Sequence, residues 1–278
     1  MRLLLTGSEG NIGRWLTPAL EAAGHHVTTL DASASDRPGH IVLTLPDFDG
    51  VSRAVAGMDG VVHAAAIPGD SGGTPQAIHA TNVLGTLQLL EACERAGTGR
   101  FVFFSSVQAL GNFAGHRSAS ILPIADDYPA HPMTAYQLSK QLGELACACY
   151  TRRTGIVTHC FRPVAVLQPN RGRVRSLEED AATSHGWWRD YWAWVDVRDV
   201  CSAVTLSLAN QTVSHGAWLL ASSRSGMNEP TAELVDSVYP KTPWSIDRAE
   251  WLRYDDHRGL VDCSAAARDL GWRPEHPW

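Results

Sequence analysis

The sequence predicts an α/β fold in which a doubly wound parallel sheet carries helices on both of its faces. Apolar runs typical of buried parallel strands alternate with segments of helical periodicity. The chain has 278 residues, of which 44% are hydrophobic, so it can bury one large core. We therefore expect a core domain over residues 1–161. Residues 162–278 are expected to form mainly a small C-terminal lobe, with some elements returning to the core.

Three glycines directly after the first apolar run form the most informative motif. Residues 2–6 are predicted to be a buried strand, and Gly7, Gly10 and Gly13 follow, with a helix opening at about Asn11. In a Rossmann-type fold, the first glycine permits a tight turn, the second lets the backbone approach a pyrophosphate, and the third lets the helix pack on the strand. The phosphate then meets the N–H groups of the helix N-terminus. A plain glycine-rich turn is the alternative.

The second predicted strand, 26–30, ends at an acidic residue. Asp31 lies about 20 residues beyond the glycines, where a carboxylate accepts hydrogen bonds from a ribose diol. Because this carboxylate would repel a 2′-phosphate, it favours NAD over NADP. Arg37 is the next cation along the chain and the candidate for holding such a phosphate. Outside this context, Asp31 would be interpreted as a turn residue.

The rest of the core domain alternates in the same way, and right-handed crossovers between parallel strands are expected. The small-residue run Ala64, Ala65 and Ala66 offers a surface against which a cofactor can lie flat. The predicted segments, in order, are a strand at 41–43, a helix at 51–56, a strand at 60–63, a helix at 81–94, a strand at 100–104, a helix at 134–152 and a strand at 156–161.

Tyr136 and Lys140 stand one helical turn apart, downstream of Ser105 and Ser106 at the end of a central strand. An ammonium beside the phenol, helped by the positive nicotinamide of an oxidised cofactor, should lower the phenol pKa from about 10 toward neutrality. Tyr136 can then exchange a proton with a substrate hydroxyl while a hydride moves to or from the cofactor. Ser106 would hydrogen-bond the same oxygen, and Lys140 would also bind the ribose. A solvated helix face is the alternative for the pair taken alone.

Composition narrows the class of protein. The net charge is -6 and the pI is near 6.0, without clustering of Lys and Arg, so no nucleic-acid partner is expected. The first strand is not preceded by a charged leader with a long apolar segment. We therefore expect no membrane partner and a cytoplasmic location. The six cysteines lack paired C-x-x-C spacing and the twelve histidines lack ligand spacing, so we expect free thiols and no metal.

Together these motifs resemble the extended short-chain dehydrogenase/reductase superfamily, in its NAD-dependent epimerase/dehydratase branch. The resemblance spans residues 1 to about 208, with a family-like tail at 262–274. The matching stretches are TGSEGNIG (6–13), VHAAA (62–66), TNVLGT (81–86), FFSS (103–106), YQLSK (136–140), FRP (161–163) and WVDVRDV (194–200).

The resemblance implies NAD as cofactor and a role for each matching residue. Tyr136 is the implied acid/base, Lys140 its helper, Ser106 the polarising hydroxyl, and Asn82 a structural and proton-relay residue. The family often pairs two long helices, here 81–94 and 134–152, so a homodimer is expected. The implied cofactor contacts are Gly7, Gly10, Asn11, Ile12, Gly13, Asp31, Ala64, Ala65, Ala66, Tyr136, Lys140, Pro163 and Val166.

Three departures from the family pattern narrow the activity. The family's 4,6-dehydratases carry an Asp-Glu pair just after the catalytic serine, whereas Val107 and Gln108 stand here, so dehydration is disfavoured because neither titrates usefully. Residues 164–165 replace the Asn of many sugar-nucleotide enzymes, and the C-terminal part is short, which indicates a smaller substrate. Thr44 stands where an Asp usually meets adenine, which shifts the expected contact to Asp47.

The C-terminal part is rich in tryptophan. Trp187 and Trp188 are the expected site residues, because flat rings with one N–H donor suit a sugar or aromatic substrate, whereas most of the others are expected to pack lobe against sheet. Arg171 lies with Arg173 and Arg175 in a loop that can grip a carboxylate or phosphate, a solvated mobile loop being the alternative. The substrate-contact candidates are Ser106, Val107, Gln108, Trp187, Trp188 and Arg171.

These observations predict an NAD-dependent oxidoreductase that acts on a secondary alcohol or ketone of a small sugar, sugar acid or related polyol. The loops 68–75 and 111–132 are expected to act as lids. A sugar-nucleotide epimerase, which uses the same hydride step transiently, is one alternative. A catalytically silent NAD-sensing regulator is another, and the intact Ser106, Tyr136 and Lys140 argue against it.

Overall fold

The computed structural model describes residues 1–169, 174–183 and 186–276. Within these ranges, none of the helices is both long and apolar enough to cross a membrane. The strands are β1 (Arg2–Thr6), β2 (His26–Asp31), β3 (Ile41–Val42), β4 (Gly60–His63), β5 (Arg100–Phe104), β6 (Val157–Pro163), β7 (Ala165–Leu167), β8 (Trp194–Asp196) and β9 (His215–Leu220). The helices are α1 (Gly13–Ala22), α2 (Phe48–Val55), α3 (Pro75–Ile78), α4 (Gly85–Ala96), α5 (Ala135–Thr154), α6 (Leu177–Ala181), α7 (Val197–Ala209), α8 (Thr231–Val238), α9 (Arg248–Trp251) and α10 (Ser264–Leu270).

Seven of the strands form one parallel sheet in the order β3-β2-β1-β4-β5-β6-β9. The chain winds outward from β1 to β3 on one side and from β4 to β9 on the other, so the winding direction reverses between β1 and β4. In a doubly wound sheet, the ligand crevice lies at this switch point, beyond the carboxyl ends of the strands. The predicted α/β fold with its doubly wound parallel sheet is confirmed.

Apolar side chains alternate between the two faces of this sheet. On β1, Leu3 and Leu5 join the core cluster that also contains Leu16 of α1, whereas Leu4 joins the cluster that contains Val51 of α2 and Leu89 of α4. Because successive side chains of a strand point to opposite faces, a strand covered on both faces must be apolar throughout. This requirement explains why β1 and β4 stand out in the sequence as unbroken apolar runs.

The predicted helix at 81–94 differs from the observed structure at its start. Residues His79–Leu84 form a π-helical stretch, and regular α-helix begins only at Gly85. A π-helical turn adds one residue to each hydrogen-bonded ring and often occurs at functional sites. Asn82 is the buried residue of this stretch, which brings its amide into the interior.

The chain beyond residue 161 contributes to the sheet as well as to a lobe. β9 pairs with β6, where Trp218 lies opposite Phe161, while β7 and β8 form a separate parallel pair. Tyr191, Trp192 and Trp194 are almost completely buried. These members of the aromatic cluster therefore pack in the core, as expected for most of the tryptophans.

The loop 111–132 does not have the exposure expected of a lid. Phe113, Leu122 and Ile124 are fully buried. The N–H groups of Leu122 and Ile124 donate to the carbonyls of Pro243 and Leu260 at 2.9 and 2.8 Å. Since exposing each such side chain costs about 1.5–3 kcal/mol, these parts of the loop are held in the core, whereas residues 115–118 are exposed, and the expectation that the whole loop acts as a lid is corrected.

Candidate functional site

The turn between β1 and α1 is so tight that only glycine fits at two of its positions. Gly7 has a φ of +74°, and a Cβ there would lie 2.5 Å from the backbone nitrogen of Ala65. A Cβ at Gly13 would overlap the carbonyl oxygen of Gly7 and lie 2.7 Å from the Cα of Ser8. At Gly10 a Cβ would lie 3.2 Å from that same oxygen, so the constraint there is milder.

α1 begins at this turn, two residues later than predicted. Its N-cap residue, Ile12, provides no side-chain hydrogen bond, and the first turn contains no acidic residue. Asn11 is exposed beside it. A helix start of this kind presents backbone N–H groups and a positive dipole end, which can hold a phosphate.

A cleft of about 440 Å³ opens beside the turn and extends past the end of β2. Its walls include Leu30, Leu43 and Leu45, which offer apolar surface to a flat base. Some of the predicted cofactor contacts line it: Gly7, Gly10, Asp31, Ala64, Ala65 and Ala66. Others lie outside its lining, namely Asn11, Ile12, Gly13, Tyr136, Lys140, Pro163 and Val166. The cleft thus has the tight turn and apolar walls that a dinucleotide requires.

Asp31 closes one end of the cleft. Its Oδ2 accepts a hydrogen bond from the N–H of Glu9 and its Oδ1 from the N–H of Ser33, both at 2.9 Å. These bonds orient the carboxylate, whose oxygens have further lone pairs for ribose hydroxyls. Arg37 is ion-paired with Glu21. The cation considered for a 2′-phosphate is therefore engaged with another carboxylate.

The adenine contact expected at Asp47 stays a prediction, and Asp47 has a structural role as well. Its side chain caps α2 by accepting a hydrogen bond from the N–H of Gly50 at 3.0 Å, and it does not line the cleft. Capping is a common use for Asp directly before a helix. Thr44 does line the cleft, between Leu43 and Leu45.

The segment 64–67 after β4 forms the opposite wall, and Asn82 holds it. The N–H of Ile67 donates to Asn82 Oδ1 at 2.8 Å, and Asn82 Nδ2 donates to the carbonyl of Ile67 at 3.1 Å. Nδ2 also donates to Ser139 Oγ on α5 at 3.1 Å. The amide therefore ties the wall of the cleft to α5, which is a structural role.

His63 is a structural histidine at the end of β4. Its Nδ1 lies 2.7 Å from Thr6 Oγ1, and its Nε2 lies 3.0 Å from Thr86 Oγ1. Burial and, secondarily, the charge of Lys140 lower its pKa to about 3. The neutral ring thus links two elements of the fold at physiological pH.

Tyr136 and Lys140 lie on one buried face of α5, as their spacing predicts. Lys140 Nζ is 5.7 Å from the centre of the Tyr136 ring and donates a hydrogen bond to the carbonyl of Phe104 at 2.8 Å. Burial lowers the pKa of Lys140 to about 8, and the Glu144 carboxylate opposes this shift. Lys140 therefore still carries most of its positive charge at pH 7.

The phenol of Tyr136 differs from its expected state. Burial raises its pKa above 10, the hydrogen bond with Ser106 lowers it, and the Asp70 carboxylate raises it further. The groups of the chain therefore do not by themselves lower the phenol pKa. The expected lowering by Lys140 is not observed, and desolvation, which disfavours the phenolate, dominates.

The structure separates the two neighbouring serines. Ser105 Oγ donates to Glu144 Oε1 at 2.5 Å, and Glu144 forms a bidentate ion pair with Arg162 at 2.7 and 2.8 Å. Ser105 thus serves a buried structural network, whereas Ser106 meets the Tyr136 phenol. This arrangement agrees with the choice of Ser106 as the polarising hydroxyl.

Several predicted contacts lie in the core or away from the cleft. Val107 is buried in a core cluster, and its assignment as a substrate contact stays a prediction. Gln108 is half-buried, and its N–H donates to Ser106 Oγ at 3.2 Å. Pro163 is the buried last residue of β6, and Val166 is partly buried on β7.

Trp187 and Trp188 are half-buried in a turn of 3-10 helix. The backbone N–H groups of the two tryptophans donate to the two carboxylate oxygens of Asp180 at 2.6 and 3.0 Å. The guanidinium of Arg175 lies 4.7 Å from the centre of the Trp187 ring, a cation–π distance. Neither tryptophan lines the cleft beside the glycine turn, and Arg171 lies outside the described residues.

Two features escaped the interpretation of the sequence. Asp70 Oδ1 accepts a hydrogen bond from the N–H of Tyr136 at 2.9 Å, although the two residues are 66 positions apart. Glu144 follows Lys140 by one helical turn and pairs with Arg162. The helical spacing could have indicated Glu144, but no local pattern points to Asp70.

Comparison with known sequences identifies the family. The profile of the NAD dependent epimerase/dehydratase family matches residues 3–220. The chain belongs to this family. UDP-glucose 4-epimerase of Corynebacterium glutamicum is 27% identical over 99% of this chain and 92% of its own length. Uronate dehydrogenase of Pseudomonas syringae pv. tomato is 31% identical over 58% of this chain and 58% of its own length.

A solved structure shows the same fold. The short-chain dehydrogenase/reductase superfamily protein from Agrobacterium tumefaciens, with bound NAD, superposes with a TM-score of 0.76 at 21% identity and covers 100% of this chain and 93% of that one. Members of the epimerase/dehydratase family are NAD-dependent enzymes of the extended short-chain dehydrogenase/reductase type. This chain is therefore such an enzyme, and NAD is its cofactor.

The position of Asp31 generates a prediction about cofactor choice. We expect the wild type to bind NAD more tightly than NADP, and Asp31→Ala to narrow the preference about tenfold or more, because a hydrogen bond to a charged group contributes about 1.5–3 kcal/mol. Calorimetric titration with both cofactors measures the ratio. Asp36→Ala removes an exposed acid of the same segment and should leave the ratio unchanged. An unchanged ratio in Asp31→Ala would remove Asp31 from this role.

Proposed function

We propose that this enzyme is a dehydrogenase that transfers a hydride between NAD and a secondary alcohol or ketone of a small sugar, sugar acid or related polyol. The observation that carries the proposal is the convergence of Ser106, Tyr136 and Lys140 beside the wall of the cleft. Asn82 bonds both to Ile67 of that wall and to α5, so the two sides of the site are joined.

Oxidation of an alcohol requires a base for the hydroxyl proton and an acceptor for the hydride. NAD, when bound, supplies the acceptor. Tyr136 takes the proton as its phenolate, and Ser106 donates a hydrogen bond to the same substrate oxygen. Lys140 stabilises the phenolate with a positive charge 5.7 Å from the ring centre. In the reverse direction, the phenol returns the proton.

The elements after β6 and the residues next to Ser106 support a small substrate. Part of the chain after β6 returns to the sheet as β9 instead of enclosing a ligand. Val107 is in the core and Gln108 does not titrate, so the positions next to Ser106 provide no acid or base for an elimination. The similarity to uronate dehydrogenase agrees with a small sugar substrate.

A sugar-nucleotide epimerase is the second candidate function. The observation that favours it is the similarity to UDP-glucose 4-epimerase, which extends over nearly the whole of both chains. An epimerase oxidises its substrate transiently and regenerates NAD, so the same three residues would serve it. A silent NAD-sensing regulator is disfavoured because Ser106, Tyr136 and Lys140 are all present.

Removing the phenol oxygen tests the central assignment. Tyr136→Phe should reduce turnover about 10²–10⁴-fold while NAD affinity stays nearly constant, because the lost oxygen matters only when a proton is transferred. Lys140→Met should lower both turnover and NAD affinity. Steady-state kinetics and calorimetry measure the two effects. Tyr150→Phe, further along α5, is the matched control. Turnover near the wild-type value in Tyr136→Phe would show that another group handles the proton.

Matched ligands separate the dehydrogenase from the epimerase. We expect free sugars, sugar acids or polyols to bind at least as well as the nucleoside diphosphate sugars that contain them, because part of the chain after β6 returns to the sheet as β9 instead of enclosing a nucleotide. Calorimetry with matched pairs measures this difference. The purified dehydrogenase should also release NAD readily, since it exchanges cofactor in each cycle. Tight, nucleotide-dependent binding together with retained NAD would favour the epimerase.

We also propose that the chain pairs with a second copy through α4 and α5. Leucine side chains on and beside these helices are 38–59% exposed: Leu84, Leu87, Leu138 and Leu145. Leu145→Arg should convert a dimer to single chains, because the charge would be desolvated in the interface. Sedimentation equilibrium measures the mass, with Leu206→Arg on α7 as the control. A wild type that sediments as a single chain of 30.1 kDa contradicts the proposal.

A further inference from the structure

One side chain attaches the loop 68–75 to the start of α5. Asp70 begins the Asp70–Gly72 turn of this loop, whose residues are mostly exposed. Its Oδ1 accepts a hydrogen bond from the N–H of Tyr136 at 2.9 Å. Since Asn82 holds Ile67 immediately before the loop, the chain from the wall of the cleft to Tyr136 is fastened at two points.

Asp70 is not the ordinary cap of α5. Thr134 occupies the N-cap position, and its Oγ1 accepts a hydrogen bond from the N–H of Gln137 at 3.2 Å. Asp70 satisfies a second N–H of the first turn, that of Tyr136 itself. A carboxylate is favoured at this positive end of the helix, and a hydrogen bond to an ionised acceptor is stronger than one between neutral groups.

Charged groups reach Tyr136 from the elements around it. Asp70 comes from the loop and Lys140 from the same helix, whereas Glu144, one turn further along, acts on Lys140. His63 of β4 remains neutral because its pKa is about 3. Lys140 favours the phenolate, whereas Asp70 opposes it, so the charge of Asp70 bears directly on when the phenol ionises.

We propose that Asp70 is a positioning residue that fastens the loop 68–75 to the catalytic helix and keeps one negative charge beside Tyr136. This inference rests on the proposed function, in which Tyr136 is the acid/base. The same carboxylate that orders the loop then delays ionisation of the phenol to higher pH. Loss of Asp70 therefore has two separable consequences, one for loop order and one for the protonation of Tyr136.

Two substitutions separate these consequences. Asp70→Asn keeps an acceptor oxygen and removes the charge, whereas Asp70→Ala removes both. In each variant, the rising limb of kcat/KM for oxidation should shift to lower pH by about half a unit, because a charge that opposes ionisation has been removed. The KM for the alcohol substrate should rise several-fold only in Asp70→Ala. Asp49→Asn removes an exposed charge of α2 and should shift neither quantity.

Hydrogen exchange provides a readout that needs no turnover. The amide of Tyr136 should exchange faster in Asp70→Ala than in the wild type and should stay protected in Asp70→Asn. Equal exchange in Asp70→Ala and the wild type would overturn the attachment of the loop. Superimposable pH profiles for Asp70→Asn and the wild type would overturn the role of the charge.

Failure of this inference is distinguishable from failure of the proposed function. If the wild type oxidises no sugar or polyol, the proposed function is wrong, while hydrogen exchange still decides the attachment of the loop. The pKa of the Tyr136 phenol can then be measured in the wild type and in Asp70→Asn. At each pH, the ultraviolet spectrum of the protein is compared with that of the same protein carrying the additional substitution Tyr136→Phe. A lower phenol pKa in Asp70→Asn supports the inference, and an unchanged pKa overturns it.

Discussion

The site depends on the close backbone approach at the turn after β1. Gly7 lies against the segment that follows β4, and Gly13 lies against the carbonyl of Gly7, with no room for a Cβ at either position. This contact brings the start of α1, the end of β2 and the wall 64–67 around one cleft. A larger side chain at Gly7 or Gly13 would separate these elements, because backbone atoms cannot yield as a flexible side chain can.

A second constraint places α5 against the sheet. Glu144 of α5 is buried with Arg162 of β6 and accepts a hydrogen bond from Ser105 at the end of β5. Removing one partner of a buried pair costs about 3–5 kcal/mol, because the other charge stays in the interior. Since a whole domain is stable by only about 5–15 kcal/mol, this pair strongly favours one position of the helix. Tyr136 and Lys140 take their positions from it.

Particular elements show how far the sequence could predict the site. The glycine spacing, the acid at the end of β2 and the Tyr–Lys spacing are local patterns, and the structure has each of them on the predicted element. The π-helical stretch before α4 was not predicted, because it leaves no periodic signature. Asp47 and Val107 were assigned from their place along the chain, whereas a helix cap and a core position decide their environments.

The sequence by itself determined the alternation of strands and helices up to residue 161, the glycine turn, the position of Asp31 at the end of β2 and the pairing of Tyr136 with Lys140. These features depend on steric and chemical properties of residues that are near one another in the chain. Only the tertiary structure decided the protonation of Tyr136, the burial of the loop 111–132 and the contact from Asp70. Desolvation and charge act through space, so they depend on neighbours that the chain brings together only when it folds.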